Sequence, residues 1–365
     1  MLVGVDVSSG YLSRIRTRHL VQGFFGLIVL AIGVQFSLWA TAHLGGRLPA
    51  VARPAGVEGF LPISALMSLR LWVVGGGIHP VHPAALAILL AACVSSLVLP
   101  RAFCSHVCPV GTLSELLGGV GRTLLGRTWL LPRWLDIPLR SLKYLLLAFF
   151  VWATWLAMEL PALEAFLDSP YNRVADVKML LFFAEPSRLT LSVLGVLVVA
   201  SVLVRDAWCR YLCPYGALVG LLGRLAPLRI ERNAATCIDC RACTRACPAR
   251  IAVHAAGRVE NVECSGCQDC VAACPVTRCL AVRGPRRGES GLRPGLAALA
   301  VAGVFLAVLT GFRLTGHWRS SVGEAEAAAR IQSIGSAEYG HPGAGGPPVS
   351  GTGARAGWAV GNPDR

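Results

Sequence analysis

The chain has 365 residues, of which 54% are hydrophobic and 15% charged, and its mean hydropathy is +0.59. A soluble domain carries charge on about a quarter of its residues, so this composition excludes an ordinary soluble globular protein and indicates a membrane protein. The net charge of +14 comes with no nucleic-acid recognition motif and no interleaved basic and aromatic stripe, which excludes nucleic acid as a partner; in a membrane chain the arginines report topology instead, because cytoplasmic loops collect them.

In chain order, residues 1–19 read as a cytoplasmic N-terminal segment holding Arg14, Arg16 and Arg18. The apolar run Leu20 to Ala42 is too long for the core of a signal peptide and reads as a retained anchor. Phe60 to Val74 is apolar but short, contains Pro62 and Arg70, ends in Gly75-Gly76-Gly77, and reads as interfacial or re-entrant. Further spanning segments are expected at His82 to Pro100, Arg140 to Leu160, Leu189 to Val204 and Pro294 to Phe312, each near the roughly twenty residues a bilayer requires. Lys143, early in the third span, is expected to snorkel to the interface.

Residues 101–143 and 205–293 are rich in arginine, whereas 163–186 hold Glu164, Asp168, Asp176 and Glu185. That alternation puts the N-terminus and the cysteine-bearing loops in the cytoplasm and the C-terminus outside, in a multi-pass protein of the bacterial cytoplasmic (inner) membrane. The expected fold is a polytopic α-helical membrane protein of about five transmembrane helices with an inserted small α+β ferredoxin domain. Its parts are a membrane domain over 20–230 with four helices and two Cys-x3-Cys-Pro motifs, a ferredoxin domain over 231–285, a fifth helix over 292–313, and a flexible extracytoplasmic tail over 314–365. Within that tail Ser321 to Ile334 is a short helix available for docking a partner.

Twelve of the fourteen cysteines fall into regular groups, which is metal spacing rather than a disulfide framework. "CSHVCPVGTLSELLG" begins at Cys104 and "CRYLCPYGALVGLLG" at Cys209. Ala102/Ala207, Leu113/Leu218, Leu117/Leu222 and Gly118/Gly223 match in register around them, which indicates a parallel internal repeat about an axis along the membrane normal. For Cys104, Cys108, Cys209 and Cys213 three readings stand open: ligands of a further metal or iron–sulfur centre, redox-active dithiols, or buried helix-end thiols.

"CIDCRACTRACP" from Cys237 and "CSGCQDCVAACP" from Cys264 repeat Cys-x2-Cys-x2-Cys-x3-Cys-Pro. In this bacterial ferredoxin pattern three thiolates hold three corners of one [4Fe-4S] cube and the fourth cysteine reaches the other cube. Cys237, Cys240, Cys243 and Cys274 are therefore the ligand set of one cluster, and Cys247, Cys264, Cys267 and Cys270 that of the second. Structural zinc would not use this three-plus-one layout. Cys93 and Cys279 read as packing thiols. His79, His82 and Glu58 read as interfacial polar anchors, with proton uptake from a quinol as the sharper alternative.

Membrane helices, two Cys-x3-Cys-Pro phrases and a two-cluster module together resemble the NapH/NosR/MauN group of polyferredoxins, over roughly residues 15 to 285. "VEGFLPISALMSL", "HPAAL", "PRWLDIPLRSLKYLLL" and "YNRVADVKMLLFF" are similar to iron–sulfur membrane proteins close to that group. The resemblance implies electron flow between the quinol pool or a cytoplasmic donor and a partner reductase, or reductive support for maturation of a metalloenzyme. The chain differs in lacking the flavin-binding domain of NosR and in adding a fifth helix and a Gly/Pro-rich tail. The expected function is membrane-bound iron–sulfur electron transfer, as a quinol dehydrogenase-like component rather than a stand-alone catalyst, with membrane lipid, quinol and a partner redox enzyme as its contacts. The alternative is an assembly factor supplying electrons for metal or thiol reduction.

Overall fold

A computed structural model describes residues 8–125, 131–285 and 291–340, with side chains from residue 17 onward. The fold is mostly helical. By length and composition three helices can cross a bilayer, Thr17–Leu44, Arg133–Ala157 and Pro294–Leu314. Ala175–Ala184 and Arg188–Leu203 make a fourth if they are taken as one span bent by 78°. Pro186 stands in that break, where its missing N–H and its ring interrupt a continuous helix. Pro83–Val98 is helical for only 16 residues, about 24 Å at the helical rise and short of a hydrocarbon core of about 30 Å. The described residues thus hold three to four candidate membrane helices. Leu20, Leu27, Leu189 and Val196 on these helices are largely bare, as side chains that face lipid are.

The chain divides into two compact units. The first comprises the residues up to Val29, Leu90–Ala148 and Leu197–Thr310, and all fourteen cysteines belong to it. Its antiparallel strands β1 (Arg229–Arg232) and β2 (Leu280–Arg283) flank the ferredoxin-like cysteines in sequence, with Ile230 opposite Val282. Ile230, Leu280 and Val282 are buried, so the pair closes the block with an apolar face. Lys143 does not snorkel. Its ammonium is wholly buried in this unit, 2.6 Å from Glu263 Oε2, because a carboxylate inside the protein offers a stronger partner than a distant interface.

The second unit comprises Leu30–Leu89, Phe149–Val196 and the described residues from Gly311 onward. Phe36, Trp39, Val57, Val174 and Val177 form its core together with Ala327, Ile331, Ile334 and Tyr339. The segment expected to be a flexible tail is therefore packed as far as Tyr339. The helix Glu324–Gln332 presents Ala327 and Ile331 one turn apart on a single face, a pairing that average composition conceals, and Trp39 Nε1 donates to Glu324 Oε2 at 2.9 Å. The Gly/Pro-rich residues 341–365 lie outside the described residues, as do residues 1–7 and the side chains of Arg14 and Arg16. Glu58, His79 and His82 are interior groups rather than surface anchors. Glu58 accepts from Arg53 Nη1 at 3.0 Å and from the Ala84 amide at 2.9 Å, and Arg53 also pairs with Asp176 at 2.8 Å.

Candidate metal centres

The two Cys-x3-Cys-Pro phrases fold alike. A left-handed residue opens each, Arg101 at φ 46° and Asp206 at φ 59°. A short helical turn follows, Ala102–His106 in the first and the π-helical Trp208–Leu212 in the second. The amide of the second cysteine then donates five residues back, Cys108 to Phe103 O at 2.9 Å and Cys213 to Trp208 O at 3.0 Å. Pro109 and Pro214 start the helices Pro109–Leu125 and Pro214–Leu222, the position where a missing N–H costs nothing. Cys108 and Cys213 consequently sit at helix N-termini, where the amides of Val110 and Gly111, and of Tyr215 and Gly216, point at their sulfurs.

The glycine of each phrase has a steric cause. A Cβ at Gly111 would lie 2.1 Å from the Cys104 carbonyl oxygen; at Gly216 it would lie 3.6 Å from the Cys209 carbonyl and 3.2 Å from Arg101 Nη2. The later glycines pack reciprocally. A Cβ at Gly118 would meet Arg205, and one at Gly223 would meet Pro100 and the Arg101 amide, so each helix rests on the entry to the other phrase. The four thiols are mutual neighbours. Burial pushes Cys108 up to about 12, with Cys104 adding to the effect, and raises Cys209 and Cys213 as well.

In the ferredoxin-like block, Cys237, Cys240, Cys243 and Cys274 line one cavity, and Cys247, Cys264, Cys267 and Cys270 line another. Both loops use left-handed residues at the same places, Asp239 and Arg241 in the first and Gly266 and Gln268 in the second, a backbone form that gathers amides around an anionic group. Among the described residues no three His, Cys, Asp or Glu side chains converge closely enough for a single metal ion. Thiols spread around a cavity fit a polynuclear cluster instead. Cys279 is buried, with Sγ 3.6 Å from Asn233 O, and lines the first cavity beside the four candidate ligands. Cys93 lies in the helix Pro83–Val98 and lines neither cavity.

Side chains of the two phrases hold the second cavity's loops. Ser105 Oγ donates to Ser265 O at 2.6 Å, next to Cys264, and Arg210 Nη1 donates to Pro248 O at 2.9 Å, next to Cys247. Ser105 and Arg210 occupy equivalent places, each directly after the first cysteine of its phrase. Glu263, directly before Cys264, accepts from Arg101 Nη1 at 3.1 Å, Lys143 Nζ at 2.6 Å and Tyr144 OH at 2.8 Å. Burial alone would raise this carboxyl, but Arg101 and Lys143 prevail and hold it below its ordinary range. Asp269 pairs with Arg205 at 2.8 Å and Arg18 at 3.5 Å.

Asp136 fixes Arg210 through two bonds of 2.9 and 3.0 Å and Tyr211 through one of 2.7 Å, with Arg140 also bonded to it. A further cavity is lined by Arg18, Arg101, Arg205 and Arg210 together with Cys104, Cys209 and Cys267. Cysteines of both phrases and of the ferredoxin-like block thus share one lining. Glu263, Asp136, Arg101 and Arg210 were missed by motif reading. For Asp136 the available signal was a carboxylate standing alone between Arg133 and Arg140; Glu263, with Glu260 and Asp269 nearby, gave none.

A 4Fe-4S binding domain family matches residues 81–128 and again 189–233, and a 4Fe-4S dicluster domain family matches 229–275. YccM of Escherichia coli (strain K12), whose name assigns it to electron transport, is 49% identical over 298 residues, covering 80% of this chain and 83% of YccM. The methylamine utilization ferredoxin-type protein MauN of Paracoccus denitrificans is 33% identical over 168 residues, 46% of this chain and 54% of MauN. The regulatory protein NosR of Pseudomonas aeruginosa is 29% identical over 163 residues, 44% of this chain and 22% of NosR. No solved structure matches the chain. With its 4Fe-4S domains, its candidate membrane helices and its extensive identity to YccM, the chain belongs to the YccM family of electron transport proteins, iron–sulfur proteins of the membrane polyferredoxin type homologous to MauN, NosR and NirI.

Proposed function

We propose that this protein is a membrane-bound relay with three iron–sulfur centres in line, joining the quinol pool or a cytoplasmic donor to a partner redox enzyme. The observation that carries the reading is the single cavity lined by Cys104, Cys209 and Cys267. Cys237, Cys240, Cys243 and Cys274 would hold one [4Fe-4S] cluster, distal to the phrases. Cys247, Cys264, Cys267 and Cys270 would hold a proximal one, and Cys104, Cys108, Cys209 and Cys213 a third centre. Bound clusters of this kind supply one-electron oxidation and reduction.

The chain's own groups prepare these sites. Helix N-termini and the Arg101 guanidinium favour thiolates at the phrases, while Ser105, Arg210 and Glu263 hold the proximal loops in register. Matching turns and reciprocal glycine contacts support the parallel repeat, and with it His82 to Pro100 as the second of five spans. Arginine-rich loops at 101–143 and 205–285 support a cytoplasmic position for the clusters in the inner membrane. The domain division at 20–230, 231–285, 292–313 and beyond 314 follows the same reading, with the last segment packed through residue 339.

Iron counting tests it. Anaerobically purified protein is expected to carry about twelve irons, falling to about eight in Cys108→Ser/Cys213→Ser with the ferredoxin electron paramagnetic resonance signals retained. About eight irons in the wild type would remove the third centre. Reduction by quinol in membrane vesicles separates a quinol-fed relay from one fed by a soluble donor.

A further inference from the structure

We propose that the surface around the Cys237, Cys240, Cys243 and Cys274 cavity is a docking face for a small, acidic, one-electron carrier protein. The proposal goes beyond the relay reading and rests on it only in that a carrier needs a redox site beneath its contact.

Cys240 is exposed, and Ile238 and Pro275, which line the same cavity, are exposed with it; Ile238 retains 65% of its accessible surface. Arg241 lines the cavity as well, Arg245 stands two residues after Cys243 and Arg278 directly before Cys279; all three are exposed, and none makes an ion pair among the described residues. Arg232 also lines the cavity. Asp239 is the one carboxylate in the sequence of residues 232–254 and 271–283.

The proximal set is the internal control. Its neighbouring carboxylates, Glu263 and Asp269, are matched by Arg101, Lys143, Arg18 and Arg205. Arg101, Arg18 and Arg205 are thus neutralised by carboxylates within the chain, whereas Arg241, Arg245 and Arg278 are left for carboxylates brought from outside. An apolar centre inside a mainly basic rim steers a partner and fixes its orientation without holding it long. That suits a carrier that must leave after each visit, and the exposed cysteine lies inside the rim.

The test uses the full chain in lipid nanodiscs and an acidic two-cluster ferredoxin as the probe. Binding is expected to weaken about tenfold between low and moderate salt, as screened charge pairs do. The triple variant Arg241→Glu/Arg245→Glu/Arg278→Glu is expected to lose about tenfold or more in affinity, while the triple Lys variant stays within about twofold, since charge is kept. Basic cytochrome c is expected to bind at least about tenfold more weakly than the ferredoxin. Wild-type affinity in the Glu variant, or a Lys variant as weak as the Glu variant, would overturn the proposal. So would capture of the wild type by anionic-lipid vesicles with no ferredoxin binding, which would make this face a membrane contact. Iron content, measured on the same samples, separates the readings: a shortfall in wild-type iron with binding intact counts against the relay alone, and full iron without binding counts against the docking face alone.

Discussion

The distal and proximal cysteine sets share one spacing and one pair of left-handed turns, yet their surroundings are opposite. Two residues after the first cysteine the distal loop has exposed Asp239 and the proximal loop has buried Gly266. A Cβ at Gly266 would lie 2.9 Å from the Pro100 carbonyl oxygen, so glycine is required where the loop is pressed against another segment and dispensable where it is free. One residue before the first cysteine stand exposed Thr236 and buried Glu263. Cysteine spacing therefore determines which thiols meet, and the residues between and beside them determine what each site touches.

The largest test of that contrast is Glu263→Gln, which leaves Lys143 and Arg101 buried without their carboxylate. It is expected to cost about 3 kcal/mol or more, read as a lower unfolding temperature and faster proteolytic release of the ferredoxin block, whereas Thr236→Ala stays within about 0.5 kcal/mol. Next is Gly111→Ala, expected to cost about 2 kcal/mol because its methyl meets backbone. Gly216→Ala should cost less than about 1 kcal/mol, since the nearest obstacle is the end of a long arginine; equal melting points for the two variants would show that the phrases are not packed as described.

Gly266→Ala is expected to destabilise by about 1–2 kcal/mol through both its left-handed backbone and the contact with Pro100, with Asp239→Gly, the reverse exchange in the other loop, close to neutral in the same melt. The smallest effect at neutral pH is titration of Glu263. Its folded pKa is depressed, so its stabilisation is complete above the ordinary carboxylate range and is lost as the pH falls through the depressed value. A melting temperature measured against pH should fall in that acid window for the wild type, and the same component should be absent from Glu263→Gln.

The cysteines that gather around each ferredoxin-like cavity were legible because ligand spacing is local. So were the two phrases, whose proline and glycine have local steric causes. The hub at Glu263 was not: its partners Arg101 and Lys143 lie 162 and 120 residues away, and a lysine near the start of an apolar run looks the same whether it reaches for an interface or for a carboxylate. The bend between Ala184 and Arg188 was not read from the sequence, although Pro186 stands in it; apolar content alone gave the run from Leu189 the appearance of a span by itself. Packing of residues 324–339 was hidden for another reason. Two or three apolar side chains on one helical face suffice to bury it, and a polar average over the tail obscures them.

The ion pair between Lys143 and Glu263 also has a consequence for biosynthesis. Lys143 belongs to the candidate span Arg133–Ala157, and its partner lies 120 residues further along the chain. At about 5–20 residues per second, the nascent chain carries that unpaired ammonium for about 6–24 s before Glu263 is made. The polar pairing of this candidate span is therefore completed only once the segment that carries Cys264 has been made.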